Sequence, residues 1–275
     1  MTEVPATVVK ELRERSGAGM MDSKRALQET AAEGQSQEEW FEAAHRLLRE
    51  WGAAQAGKRA GREATEGVVL ASIKNGVGTL VAVGAETDFV AKNDEFRAFA
   101  EQVLETVERE GPGAVESLED ERTQLIAKIG ENIAVRGATR FEATDGERLS
   151  EYVHRPANKI GVLVKVEGGD DQTARRLAMH IASAAPRWRT REDVPAEEIE
   201  SERQLLAASD EVQSKPEQAR EKIVEGMLNK RFFAAHPGGV LLDQPWIHDT
   251  AKTVAQALDE DGLRVVEFER YALAE

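Results

Sequence analysis

The sequence of 275 residues contains no cysteine. That excludes disulfide staples, thiolate nucleophiles and thiolate metal sites, and it fits a reducing, cytoplasmic location. No apolar run approaches the roughly 18 residues that a membrane-spanning helix needs. The N-terminus, Met1-Thr2-Glu3-Val4-Pro5, has no basic region followed by an apolar core, so no signal peptide is expected. Positive charge is also short: 36 Lys and Arg against 51 Asp and Glu give a formal net charge of −15. Nucleic acids and anionic membranes are bound through a basic footprint, so neither is an expected partner. Other proteins, or local basic patches on them, suit this charge better.

Catalytic signatures are missing as well. The five histidines, His45, His154, His180, His236 and His248, are scattered without metal-ligand spacing, and no His-Glu-x-x-His occurs. There is no Gly-x-Ser-x-Gly elbow. Gly52-Ala53-Ala54-Gln55-Ala56-Gly57-Lys58 has the glycine and lysine spacing of a phosphate loop. Arg59 stands where Ser or Thr should hold the metal, however, and a helix precedes the segment where a strand should. No nucleotide site, cofactor or metal is therefore expected. Acidic residues are so many that any pair could be offered as acid and base, which identifies nothing.

What is present is an ordinary mixture, 41% hydrophobic and 32% charged, in a length that suggests about two domains. Residues 1–54 predict a three-helix domain: Ala6 to Arg15, a helix capped by Asp22, and Ser36 to Trp51 with Trp40, Phe41, Ala44, Leu47 and Leu48 on one face. Gly17 and Gly19 break the first two helices. Residues 55–66, rich in Ala, Gly, Lys and Arg, read as a linker in which Lys58, Arg59 and Arg62 are solvated.

Residues 67–145 predict a first α+β subdomain. Gly67–Ile73 and Thr79–Gly84 are strands joined through Asn75-Gly76, a strong hairpin signal. A helix from Glu95 to Arg109 follows, with Phe96, Phe99, Val103 and Val107 inward, then a helix from Glu119 to Ile133 and an edge strand near Arg140–Glu142. Residues 146–275 predict a second subdomain of similar plan. Its hairpin arms are Glu151–His154 and Ile160–Val166, followed by a helix from Asp171 to Ala185. A helical arm near 196–234, a helix from Asp249 to Leu258 and a last strand from Leu263 to Glu269 complete it. The fold class is α+β.

One stretch stands out, Glu86-Thr87-Asp88-Phe89-Val90-Ala91-Lys92-Asn93-Asp94, between a strand and a helix. Thr87 and Asp88 are good N-cap residues. Phe89, among Asp88, Lys92, Asn93 and Asp94, follows no core-facing rhythm. It reads either as a hydrophobic staple on its own helix or as a presented apolar probe. An enzyme using Asp88, Asp94 or His154 in acid–base work, and an adaptor using the small helical domain, are the competing classes.

Six ordered segments resemble the elongation factor Ts family. They are Lys10–Asp22, Thr87–Asn93, Ile129–Ile133, Ile160–Val164, His180–Pro186 and Lys222–Gly226. The resemblance implies an N-terminal domain of ubiquitin-associated type, a core of two α+β subdomains and a helical arm. It implies a guanine-nucleotide exchange factor for elongation factor Tu, with no covalent chemistry of its own and nucleotide bound only by the partner. Thr87, Asp88, Phe89 and Val90 are then the segment that enters the G domain of Tu and disturbs the magnesium and phosphate end of its nucleotide site. Leu12, Arg13, Gly17, Ala18, Gly19, Met20 and Met21 would touch the far side of that domain. Ile133 and His154 would lie near the interface, and the C-terminal half would grip a second domain of Tu. Two departures bear on this. Ser23 stands where many relatives carry Cys, so no thiol role applies. The chain also ends at Glu275, where some relatives continue into a further helix that touches Tu, so that contact is expected to be missing.

Overall fold

The computed structural model describes residues 4–273. Met1–Glu3, part of the N-terminus read for a leader, and residues 274–275 at the chain end lie outside the described residues. Two compact units emerge: residues up to Leu70 with Val81–Thr139 and the residues from Ala272, and Ala71–Leu80 with Arg140–Tyr271.

The first unit opens with α1 (Ala6–Ser16), α2 (Met20–Thr30) and α3 (Gln37–Arg59). Gly17, at φ 68°, turns the chain out of α1 in a left-handed conformation that a side chain would strain. The cap of α2 is Gly19, three residues before the expected Asp22, so Met20 and Met21 lie in its first turn. Ser36 and Glu39 form a capping box at the start of α3. Val9, Leu12, Ala26, Leu27, Phe41 and Ala44 make the bundle core, and Trp40 Nε1 donates to Leu27 O at 2.9 Å.

The expected linker at 55–66 is corrected by α3, which continues to Arg59. Ala56 is buried in the main core of the unit, where apolar burial outweighs the helix cost of Gly52 and Gly57. Lys58 and Arg59 are therefore helical, and Arg59 Nη1 donates to Gln55 Oε1 at 3.2 Å.

Strands β1 (Glu66–Lys74) and β2 (Val77–Ala85) are joined at Asn75 and Gly76, with φ 51° and 76°, the paired left-handed values of a tight hairpin turn. After them come α4 (Asp88–Ala91), α5 (Asp94–Glu110), a 3-10 segment Pro112–Leu118, and α6 (Glu119–Ile129). Phe96, Phe99, Val103 and Val107 of α5 are buried as their spacing predicts. The expected helix to Ile133 stops at Ile129. Gly130 caps it at φ 87°, and Ile133 is the first residue of β3 (Ile133–Glu142), an edge strand in the order β1-β2-β3.

The second unit carries β4 (Glu147–Val153) and β5 (Ile160–Gly168), antiparallel with Tyr152 opposite Val162, in the order β4-β5 followed by the last strand of the chain, Leu263–Ala272. Helix α7 (Asp171–Ala184) buries Leu177, Ile181 and Ala184, and it shares a core with Val162, Val164 and Val166 of β5. Helices α8 (Ala196–Ala208), α9 (Asp210–Gln213) and α10 (Glu217–Met227) follow, with a π-helical turn Leu228–Phe233. Leu206, Val212, Val224 and Met227 form one cluster, and Arg203 Nε meets Glu225 Oε1 at 2.9 Å between α8 and α10.

A two-residue strand β6 (Pro245–Trp246) pairs with β7 (Asp249–Thr253). The helix expected from Asp249 therefore begins only at Val254, as α11 (Val254–Glu260), capped by Thr253 in a capping box with Gln256. The last strand, β8 (Leu263–Ala272), runs three residues past its expected end.

Candidate functional site

The corner between β2 and α5 is held at three points. Thr87, extended at φ −128° and ψ 157°, caps α4, its hydroxyl accepting from Val90 N at a long 3.4 Å. It is gripped more firmly from the loop after α6. Thr87 N donates to Glu131 Oε2 at 3.0 Å and Thr87 Oγ1 to Glu131 Oε1 at 2.7 Å. In return, Asn132 N donates to Glu86 Oε1 at 2.6 Å. At the other end Asn93 Oδ1 accepts from Glu95 N at 2.9 Å and from Phe96 N at 3.2 Å. The single helix expected here, capped by Thr87 or Asp88, is thus two helices, with Thr87 starting the short one and Asn93 the long one.

One turn of helix divides its side chains between inside and outside. Val90 and Ala91 are buried in the core of the unit. Phe89 is 81% exposed, the highest value among the exposed large hydrophobic residues. It does not pack back as a staple; the ring stands in solvent. Beside it, Asp88 Oδ2 accepts from Lys92 Nζ at 2.6 Å, with both side chains at least half exposed. An ion pair so solvated contributes little and is readily exchanged for another partner.

The other sequence-selected residues divide by burial. Met20 and Met21 are exposed, at 51% and 73%, and Arg13, Gly17 and Gly19 are open to solvent, with Ala18 half-buried. Ser16 steadies this loop: its hydroxyl donates to Leu12 O at 2.7 Å and accepts from Ala18 N at 3.3 Å. Leu12 and Ile133, in contrast, are core residues at 1% and 0% exposure and offer no surface. His154 follows β4 in the second unit, is exposed, and shares a 2.9 Å hydrogen bond between its Nδ1 and Tyr152 Oη.

Sequence reasoning overlooked Glu86, Glu131 and Asn132, which hold the corner. The segment Ile129–Ile133 was visible as a motif, but nothing in one sequence pairs it with residues 44 or 46 positions earlier. His180, in another of the motifs, is fully buried and stacked on Trp246 at 5.2 Å between centroids. Its Nδ1 faces Ile247 N at 3.4 Å and its Nε2 meets Gln244 Oε1 at 3.0 Å. Burial pushes this imidazole down from 6.5 to about 4, with His236 and His248 acting in the same direction against the Gln244 hydrogen bond. It is a neutral, packed structural group.

Among the described residues no group of three or more metal-ligating side chains occurs, and no helix is long and apolar enough to cross a membrane.

Fold and corner together define an α+β protein with a small helical bundle, displaying one aromatic ring from a pinned turn. The family model described as Elongation factor TS matches residues 86–275. Curated relatives named Elongation factor Ts align over almost the whole chain. The protein of Alkalilimnicola ehrlichii is 40% identical over 99% of this chain and 92% of its own length. That of Methylobacillus flagellatus is 41% identical over 100% and 94%, and that of Shewanella amazonensis 43% over 99% and 91%. The chain belongs to the elongation factor Ts family and is a translation elongation factor of the exchange-factor class.

Proposed function

We propose that the protein binds elongation factor Tu carrying GDP and hastens GDP release by pressing Phe89, with Asp88, into the magnesium and phosphate end of the partner's nucleotide site. The observation that carries this reading is an 81% exposed Phe89 on a turn whose neighbours Val90 and Ala91 are buried. GTP then binds and the complex comes apart. The protein performs no covalent chemistry, binds no nucleotide, cofactor or nucleic acid itself, and acts in the cytoplasm. Met20, Met21 and the loop Gly17–Gly19 support the docking on the G domain. The C-terminal half engages another domain of Tu, and His154 lies near the interface. The working regions are the bundle, of ubiquitin-associated type, now ending with α3 at Arg59, a core divided near residue 145, and the arm near 196–234.

The energetics set a limit on any single contact. A thousandfold faster release requires about 4 kcal/mol off the barrier. Burying one phenyl ring in a partner pocket supplies about 2–3 kcal/mol. The remainder comes from the wider interface and from lost coordination of the magnesium, the largest local charge on the phosphates. Coupling is reciprocal: a protein that weakens GDP binding is itself weakened by GDP to the same factor.

The test is stopped-flow release of a fluorescent GDP from Tu. Phe89→Ala should slow stimulated release at least about tenfold, a loss of roughly 1.4 kcal/mol of barrier lowering, while the circular dichroism stays unchanged. Unaltered stimulation would remove Phe89 from the mechanism.

A further inference from the structure

We infer that Glu131 is a positioning residue for the Phe89 wedge, acting through Thr87. This inference rests on the exchange reading above and assigns the part that holds the presented ring in place.

Residues 86–87 and 131–132 form a reciprocal clasp. Each pair supplies one carboxylate and one backbone amide to the other: Glu131 takes Thr87 N at 3.0 Å, and Glu86 takes Asn132 N at 2.6 Å. Glu131 also takes the Thr87 hydroxyl at 2.7 Å, so each of its two oxygens has a donor on one residue. That bidentate grip fixes both the backbone and the side-chain torsion of Thr87, the residue from which α4 departs. Hydrogen bonds to an ionised acceptor are the strong ones, and two on one residue add direction.

The loop that carries Glu131 is itself anchored. Ile126 and Ile133 on either side of it are fully buried. Gly130, at φ 87°, turns the chain out of α6 toward the corner. Lys128 Nζ reaches Glu95 Oε1 at 2.7 Å, tying the end of α6 to the first turn of α5 as well. The single turn of α4 has no length to stabilise itself, because helix nucleation is unfavourable. Its geometry is therefore imposed from outside, and the Glu131–Thr87 grip is the contact that imposes it at the wedge end. A ring that must enter a partner pocket gains rate when its approach is fixed beforehand.

The experiment measures fluorescent-GDP release from Tu over a range of concentrations of this protein. The maximal rate is thereby separated from the half-saturating concentration. Glu131→Gln puts an amide donor where an acceptor is needed, and Thr87→Val removes the hydroxyl while keeping the shape. Each should lower the maximal rate about fivefold with little change in half-saturation, and the double variant should be no slower than the slower single one. Thr87→Ser, which keeps both hydrogen bonds, should recover most of the rate lost in Thr87→Val.

An unaltered maximal rate for Glu131→Gln, with Phe89→Ala slow, overturns the positioning role. So does a Thr87→Ser protein as slow as Thr87→Val, since that would mean lost packing and not a lost hydrogen bond. An unaltered rate for Phe89→Ala overturns the wedge reading itself, and the role given to Glu131 falls with it.

Discussion

At the scale of single residues, burial sorts the sequence motifs into those that face solvent and those that pack inside. Ser23 illustrates the second kind. It sits at 0% exposure in α2, and its Oγ has no hydrogen-bond partner among the described residues. A buried hydroxyl without a partner costs about 1–3 kcal/mol, and a small apolar group of similar shape avoids that cost. Ser23→Ala should therefore raise the stability of the protein by about 1 kcal/mol, read as a higher urea midpoint; a lower midpoint would mean the hydroxyl is satisfied. His180 gives a second residue-scale expectation. Its folded-state value of about 4 lies below the ordinary 6.5, so the unfolded chain takes up the proton first as pH falls. Its stabilisation is complete above about pH 6.5 and is lost as pH falls through about 4, by up to roughly 3 kcal/mol. Denaturant titrations between pH 7 and pH 4 should show this loss, and a His180→Gln variant should show a shallower one. Equal slopes for the two proteins would remove His180 as the cause.

At the scale of elements, ends decide more than middles. The interior of α5 was legible, because Phe96, Phe99, Val103 and Val107 recur at helical spacing and all are buried. Its beginning was not, because Thr87, Asp88 and Asn93 are all competent caps and local chemistry does not rank them. The distant Glu131 settles the choice by taking Thr87 for itself. Asn93→Ala removes the acceptor for Glu95 N and Phe96 N and should cost about 1 kcal/mol, seen as a lower melting midpoint. Ile133 fell to the same ambiguity: a β-branched residue after a helical run continues the pattern until a glycine such as Gly130 is used as a left-handed stop. Likewise Asp249–Thr253 reads as the start of a helix and becomes a strand because Pro245–Trp246 pairs with it.

At the scale of the whole chain, the N-terminal bundle is less separable than a boundary at residue 54 suggests. Gly52 of α3 lies so close to α6 that an added Cβ would sit 3.6 Å from Ala127 and Thr123, and Ala56 enters the main core of the unit. Arg49 pairs with Asp120 across the same contact. Deleting residues 1–54 should therefore both weaken binding to Tu and lower the denaturation midpoint of the remaining chain, by uncovering the face of α6. A shortened chain that melts with the midpoint of the intact protein would show that this packing adds nothing to the core.

The sequence by itself determined the α+β class, the hairpin at Asn75-Gly76, the buried stripes of α5 and α7, and the family, because these rest on local spacing and on ordered motifs. It also marked Phe89 as out of rhythm, without saying whether the ring turns inward or outward. Tertiary structure alone decided that the ring is presented, that Thr87 belongs to Glu131, and that Leu12 and Ile133 are core. The reason is physical: spacing along a chain fixes which face a side chain takes, but only the partners brought in from 44 residues away fix what that face meets.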